Sequence, residues 1–103
     1  MVETNCPVGY LAWVLGRKWT IEIIYYLQHR LRFVELQEKL GNINPTTLSK
    51  RLRLLEAEGF IRRHRISDMP PRVEYELTEQ GHDLGGVLDA MRAWGKRWLP
   101  APE

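Results

Sequence analysis

The chain has 103 residues, the size of one compact domain, and it carries a formal charge of +2 with a pI of about 8.9. Its single cysteine, Cys6, excludes an internal disulfide, and no apolar run reaches the length needed to span a membrane. The first residues lack the basic and apolar regions of a signal peptide. These features predict a soluble protein of the cytoplasm.

The positive charge is concentrated in one segment. Between Asn44 and Arg72 there are seven cations and three anions, a net charge of +4, so the rest of the chain carries −2. A basic segment on a neutral-to-acidic body is the pattern expected for an anionic polymer partner. The charge distribution therefore favours a nucleic acid.

Apolar spacing predicts three helices before the basic segment. The first begins at Pro7 and ends at Gly16, the second covers about Lys18–His29, and the third is a short helix over Phe33–Leu40. Between the second and the third, Leu31–Phe33 is predicted to form a short extended link. A tight turn at Asn42 and Ile43 then leads into the basic segment.

The sequence from Asn44 to Gly59 predicts one helix with marked ends. Asn44 is a good N-cap, and Pro45 occupies the first helical position, where its missing N–H costs nothing. Gly59 stands where the chain leaves the helix, which is a usual place for a left-handed residue. At about 100° per residue, Leu48, Leu52 and Leu55 project together as one apolar stripe.

The opposite face of this helix carries short hydroxyls near its N-terminus and cations further along. Hydroxyls and cations are the groups that meet phosphates and base edges in a major groove. The alternative is a solvated surface face without a ligand. The candidate DNA-binding residues of this face are Thr46, Thr47, Ser49, Lys50 and Arg53.

A β-hairpin is predicted directly behind this helix. Phe60–Ser67 is rich in residues compatible with a strand, Asp68–Pro71 forms a turn, and Arg72–Thr78 alternates apolar and polar residues. Two short apolar-striped helices joined by a glycine-containing turn match a helix-turn-helix. The hairpin that follows makes this the winged form of the motif.

The last predicted helix covers about Glu79–Leu99, with Thr78 as its N-cap and with Gly85–Gly86 allowing close helix packing. Its long apolar stripe consists of Leu84, Leu88, Met91, Gly95 and Trp98, with Val87 and Trp94 beside them. A small winged domain offers limited core surface to cover such a stripe. We therefore predict that the first and last helices form a dimer interface; the alternative is that both pack back onto their own domain.

Short motifs along nearly the whole chain resemble the HxlR-type regulators, winged helix-turn-helix transcription factors of bacteria and archaea that are related to the MarR group. The resemblance covers about residues 6–98. The residues that carry it are Cys6-Pro7-Val8, Lys18-Trp19, Arg32-Phe33 with Glu35-Leu36, Leu48 with Leu52, Gly59-Phe60-Ile61 with Arg63, Pro70-Pro71 with Val73-Glu74-Tyr75, Leu77-Thr78 and Gly81.

The resemblance implies a homodimer that binds pseudo-palindromic operator DNA, with the terminal helices at the interface. Two helices that each contain Lys50 and Arg53 would then enter successive major grooves about 34 Å apart. The sequence departs from the family pattern at two positions. Arg17 stands where a second glycine is common, and Asn44 stands where serine is frequent.

The hairpin is the second candidate contact with DNA. In a strand, Arg63 and Arg65 share one face, while Arg62 and His64 share the other. We predict phosphate contacts for Arg65 and Arg72 and leave Arg63 undecided between a contact and a structural role. On the preceding helix, Arg51 lies nearer the buried edge, where it would reach a flanking phosphate or pair with a carboxylate.

Cys6 is a candidate redox sensor. The family resemblance allows this role, because some members answer oxidants or thiol-reactive electrophiles through an N-terminal cysteine. Cys6 precedes Pro7 at the start of a helix, where partial positive charge stabilises a thiolate. The alternative is an inert, packed cysteine.

The sequence therefore predicts a mainly α protein with a small β-hairpin (α+β), with about five helices plus a wing. Residues 1–103 would form one winged helix-turn-helix domain, with dimerisation helices at about 6–16 and 79–99, the helix-turn-helix at 33–59 and the wing at 60–78. We expect no catalytic site, metal or cofactor, because the three histidines show no metal-ligand spacing. A dimeric regulator that binds double-stranded DNA is favoured, and a redox, electrophile or small-molecule signal is left open as its input; the alternative is a winged-helix module for protein–protein assembly.

Overall fold

The computed structural model describes residues 6–101 of the protein. These residues form six helices and three strands. The elements are α1 (Pro7–Leu15), α2 (Thr20–Tyr26), β1 (Leu31–Arg32), α3 (Phe33–Lys39), α4 (Pro45–Ala57), β2 (Ile61–Asp68), β3 (Pro71–Leu77), α5 (Glu79–Asp83) and α6 (Gly85–Trp98). The predicted α+β class and the winged helix-turn-helix are confirmed.

The three strands form one antiparallel sheet in the order β1-β3-β2. β2 and β3 are the predicted hairpin, and each lies within one residue of its expected bounds. The first strand differs from the prediction, because Leu31 and Arg32 pair with Tyr75 and Glu74 rather than forming an unpaired link. This pairing holds the segment before α3 against the central strand. The strand β1, which leads directly into α3, therefore lies in the same sheet as the two strands of the wing.

The core lies between α4, the neighbouring helices and one face of the sheet. Leucines of α4 pack there with apolar residues of α2, α3 and the two long strands. The fully buried or nearly buried members include Ile23, Ile24, Leu36, Leu48, Leu52, Leu55, Ile61 and Leu77. Since the apolar stripe of α4 is used for this packing, its polar face is left toward solvent.

Helix α2 begins later and ends earlier than predicted. Trp19 adopts a left-handed backbone conformation with φ of 83°, which no helix can contain. The next residue, Thr20, is fully buried, and its hydroxyl donates to the carbonyl oxygens of Leu15 and Arg17 at 3.0 and 2.9 Å. These bonds fix a sharp turn between α1 and α2 that helical periodicity cannot reveal.

The last helix is broken, whereas one continuous helix was predicted. Thr78 does cap its start, because the hydroxyl oxygen accepts from the N–H of Gly81, but the first segment ends at Leu84. Gly85 and Gly86 follow, and no neighbouring atom lies within 4 Å of the position where either would carry a Cβ. Within residues 6–101, no other helix packs closely against these two glycines, which are the first residues of α6 after the interruption at Leu84.

Helix α6 projects from the domain after its first turn. Leu84 and Leu88 are buried, but from Asp89 to Leu99 every residue except Gly95 is exposed. The exposed residues include large apolar side chains, with Trp94 and Trp98 at 60% and 62% exposure. About half of the predicted stripe is therefore not covered by the described part of the chain.

Candidate nucleic-acid interface

Helix α4 is fixed at both ends in the way its sequence predicts. The side-chain oxygen of Asn44 accepts hydrogen bonds from the backbone N–H groups of Thr46 and Thr47, at 2.8 and 3.3 Å. At the other end, Gly59 has a φ of 85°, so the chain leaves the helix through a left-handed residue. Local interactions thus define where α4 begins and where it ends.

The inner face of α4 is held by apolar contacts and by one polar bond. Leu48, Leu52 and Leu55 are at most 2% exposed. Arg51 donates from Nε to the carbonyl oxygen of Lys18 at 2.9 Å, which ties α4 to the sharp turn before α2. Arg51 thus binds a backbone carbonyl of its own chain, and not the carboxylate that the sequence suggested as one alternative.

The outer face of α4 carries the predicted hydroxyls and cations. Thr46, Lys50 and Arg53 are exposed, while Thr47 and Ser49 are half-buried beside them. Among residues 6–101, neither Lys50 nor Arg53 has an ion-pair partner. The outer face of α4 therefore presents two unneutralised cations next to hydroxyl groups, which are the groups that contact phosphates and base edges.

The register of the wing decides which of its cations face α4. Arg63 pairs with Tyr75 and Arg65 with Val73, so both arginines share the sheet face that packs on α4. Arg62 and His64 lie on the opposite face, as the alternation predicted. An irregularity in the pairing between Arg65 and Ser67 marks the start of the hairpin tip.

The two wing cations chosen from the sequence both have carboxylate partners. Arg65 lies 3.4 Å from Asp68, and Arg72 lies 2.9 Å from Glu74. Their side chains are 65% and 47% exposed, so both remain within reach of a ligand. Each would have to share its charge with a neighbouring carboxylate, which weakens the attraction for phosphate.

The outer face of the wing carries a network of charges around two carboxylates. Arg30 binds Glu74 at 2.7 Å, while His64 contacts Glu76. Desolvation by itself raises the pKa of Glu74, but the hydrogen bonds from Arg30 and Arg72 outweigh it and lower that pKa below its ordinary value. Because this network lies on the face away from α4, it braces the wing without filling the interface.

A groove of about 350 Å³ separates α4 from the wing. Its walls include Ser49 and Arg53 from α4 and Arg63 from β2, with Glu56 nearby. Sequence reasoning left Arg63 undecided. The signal that could have placed it is the strand alternation with Ile61, an apolar residue two positions earlier that must face the core.

Helix α1 contacts the C-terminal end of α4. The Tyr10 hydroxyl donates to the Glu58 carboxylate at 2.6 Å, and this bond, with desolvation, raises the pKa of Tyr10. One turn earlier, Cys6 is exposed at the N-cap position of α1, and its carbonyl oxygen accepts from the N–H of Tyr10 at 3.1 Å. Cys6 thus lies at the start of a helix that is hydrogen-bonded to the C-terminal end of α4.

Residues 6–101 contain neither a metal-binding cluster nor a membrane-spanning helix. No group of three or more His, Cys, Asp or Glu side chains in that range has the arrangement needed to hold a metal ion. In the same range, no helix has the length and apolar character required to cross a bilayer.

A helix pair joined by a short turn and followed directly by an antiparallel hairpin defines this chain as a winged helix-turn-helix protein. Residues 14–103 match the HxlR-like helix-turn-helix family. The chain belongs to that family, so the resemblance seen in the sequence is confirmed.

Relatives of the chain are transcriptional regulators. The HTH-type transcriptional regulator YtcD of Bacillus subtilis is 45% identical over 92 residues, which cover 88% of this chain and 73% of YtcD. The structure of a MarR-family transcriptional regulator from Porphyromonas gingivalis superposes with a TM-score of 0.88 at 29% identity, covering 96% of this chain and 98% of the other. The quinone-bound regulator YodB of B. subtilis gives a TM-score of 0.78 at 32% identity, covering 90% and 99%.

Proposed function

We propose that this protein is a transcriptional regulator that binds a pseudo-palindromic DNA operator as a homodimer. The observation that carries the proposal is the outer arc of α4, where exposed Lys50 and Arg53 have no carboxylate partner within residues 6–101. A capped helix with free cations, next to a basic hairpin, has the form of a major-groove reader. Family membership supports the same function.

The homodimer is supported by α6. Val87, Met91, Trp94 and Trp98 follow one another at helical spacing, and all four are about half exposed or more. An apolar surface of this kind on a small domain marks an interaction site. A second copy of the chain offers the same stripe, and two-fold pairing of identical stripes would give the two-fold symmetry that a palindromic operator requires.

We expect Arg53→Ala and Lys50→Ala each to weaken operator binding about 10- to 100-fold, because each removes a cation from the face of α4 that would enter the major groove of the DNA. The operator would first be recovered by selection of genomic fragments and footprinting, beginning with the DNA upstream of the protein's own gene. Affinities would then be measured by gel shift over a range of salt concentrations. A matched control is Lys96→Ala, which removes the same charge from the exposed C-terminal part of α6 and should change affinity less than about twofold.

Operator binding that is unchanged in both the Arg53 and the Lys50 variants would contradict the proposed role of α4. A wild-type protein that shifts no DNA even at low salt would instead favour the alternative of a protein–protein assembly module. Steep salt dependence of the shift would distinguish DNA binding from that alternative, since each phosphate contact releases counterions.

We also propose that the regulator answers an oxidant or electrophile through Cys6. Support comes from the exposed position of this cysteine at the start of α1 and from the structural similarity to quinone-bound YodB. We expect diamide or a quinone to lower the operator affinity of the wild-type protein and to leave Cys6→Ser unaffected. Equal responses of the two proteins, measured by gel shift with reductant added back as control, would eliminate Cys6 as the sensor.

A further inference from the structure

The groove between α4 and the wing is lined by guanidinium groups from two different elements. Arg53 comes from the outer face of α4, and Arg63 comes from β2 on the sheet face that packs against α4. Ser49 adds a hydroxyl to the same wall. The groove is thus the place where the helix-turn-helix and the wing each contribute one positive charge to a common space.

Neither of these two arginines is neutralised within the described chain. Arg65 and Arg72, further along the wing, each have a carboxylate within 4 Å, but Arg53 and Arg63 have no ion-pair partner among residues 6–101. Two like charges that line one groove repel each other unless an anion lies between them. The groove therefore presents two cations without an ion-pair partner in the described chain to an anion from outside it.

We infer that Arg53 and Arg63 together hold a single backbone phosphate of the DNA at the edge of the major groove. The guanidinium group presents several N–H donors in a fixed fork that fits phosphate oxygens. One phosphate bound by both elements fixes the register of α4 against the wing. This inference rests on the proposed function, because it names the part of the DNA that the groove receives.

Glu56 gives the inference a second consequence. It lies three residues after Arg53 and lines the same groove, yet no ion pair within 4 Å joins it to either arginine. A phosphate in the groove would be repelled by this carboxylate at short range. Glu56→Gln should therefore raise DNA affinity about two- to fourfold at low salt, an effect of the size expected for one solvent-exposed charge pair.

The test compares single and double variants on two DNA duplexes of equal length, the footprinted operator and a scrambled sequence. Arg63→Ala should weaken binding to both duplexes by a similar factor of about 5 to 20, because phosphate contacts carry no sequence information. The matched control is Arg62→Ala on the opposite face of the same strand, where affinity should change less than about twofold. Thermal melting of each variant checks that the fold is kept.

The salt dependence decides whether the two arginines share one phosphate. If they do, one phosphate contact is lost in each protomer of the double variant Arg53→Ala/Arg63→Ala, so the slope of log K against log salt should fall by about 2 units for the dimer. Two separate phosphates in each protomer would give a fall of about 4 units for the dimer, with losses of affinity that multiply, and that result would overturn the inference.

The other outcomes are equally decisive. Equal effects of Arg63→Ala and Arg62→Ala, or unchanged affinity of Glu56→Gln, would also count against a phosphate in this groove. A wild-type protein that does not prefer the operator over the scrambled duplex would refute the proposed sequence-specific function instead. The phosphate contact would still be tested in that case, because the scrambled duplex carries the same backbone.

Discussion

Trp94→Lys is expected to convert the protein to a monomer and to lower its operator affinity at least about a hundredfold. The indole of Trp94 is 60% exposed on the projecting part of α6, so a lysine there leaves the packing of the protomer intact. In a two-fold dimer, the same substitution places two like charges in an apolar contact. Losing the second half-site removes the gain in effective concentration that a linked pair provides.

Sedimentation at micromolar concentration measures the mass, and gel shift measures the affinity. Ala93→Lys is the matched control, because it introduces the same charge at an exposed position of α6 outside the stripe of Val87, Met91, Trp94 and Trp98. This variant should remain dimeric and bind DNA normally. A wild-type protein that sediments as a clean monomer would refute the dimer and, with it, the predicted role of the terminal helices.

Gly81→Ala is expected to destabilise the protein by about 3 kcal/mol, the upper part of the range for overpacking a tight site. Gly81 is buried in α5, and an added Cβ would lie only 2.2 Å from the carbonyl oxygen of Phe60. The atom it meets belongs to the backbone, which cannot move aside as a flexible side chain can. The substitution would push α5 away from the point where α4 ends and the wing begins.

Urea unfolding followed by circular dichroism, at one fixed protomer concentration, measures this loss. The control is Gly86→Ala, a substitution of the same kind in α6, where no atom of residues 6–101 outside the adjoining turns of the helix lies within 4 Å of the added Cβ. That variant should keep or gain stability, by up to about 1 kcal/mol, because alanine favours the helix. Similar unfolding midpoints for wild type and Gly81→Ala would contradict the prediction, because they would show that the domain accommodates a Cβ beside the carbonyl oxygen of Phe60 without losing stability.

Elements with local signals could be predicted from the sequence. The ends of α4 depend on Asn44, Pro45 and Gly59, whose effects act within one turn, and the observed helix agrees with the expectation. The hairpin was equally clear from its alternation and its turn. The strand at Leu31 was not, because two residues carry no periodicity and form a strand only through pairing with Tyr75, 44 positions away.

The left-handed conformation of Trp19 and the break at Leu84 could not be predicted from the sequence either. Bulky side chains rarely adopt positive φ, so nothing in the local sequence suggested that helix α2 starts only at Thr20. Periodicity runs unbroken through Leu84, because Leu84 and Leu88 keep helical spacing on both sides of the break. Both features are decided by tertiary contacts or by backbone geometry rather than by apolar spacing.

The candidate site likewise contains residues that the sequence could predict and residues that it could not. Thr46, Lys50 and Arg53 could be chosen from one helical face, and all three are exposed there. Charge alone could not distinguish Arg63 from Arg65 and Arg72, since the difference lies in which cations have carboxylate partners. Those partners, Asp68 and Glu74, become visible only when the hairpin register and the side-chain directions are known.

Helix α4 separates the residues that maintain the fold from those that face outward. Asn44, Arg51 and the leucines fix this helix within the domain, whereas the side chains of Lys50 and Arg53 form no ion pair within residues 6–101. Substitutions at such surface positions usually change stability by no more than about 0.5 kcal/mol. The DNA sequence preference that we propose can therefore diverge between duplicated genes, or be redesigned, by exchanging outward residues of α4 while the domain itself stays folded.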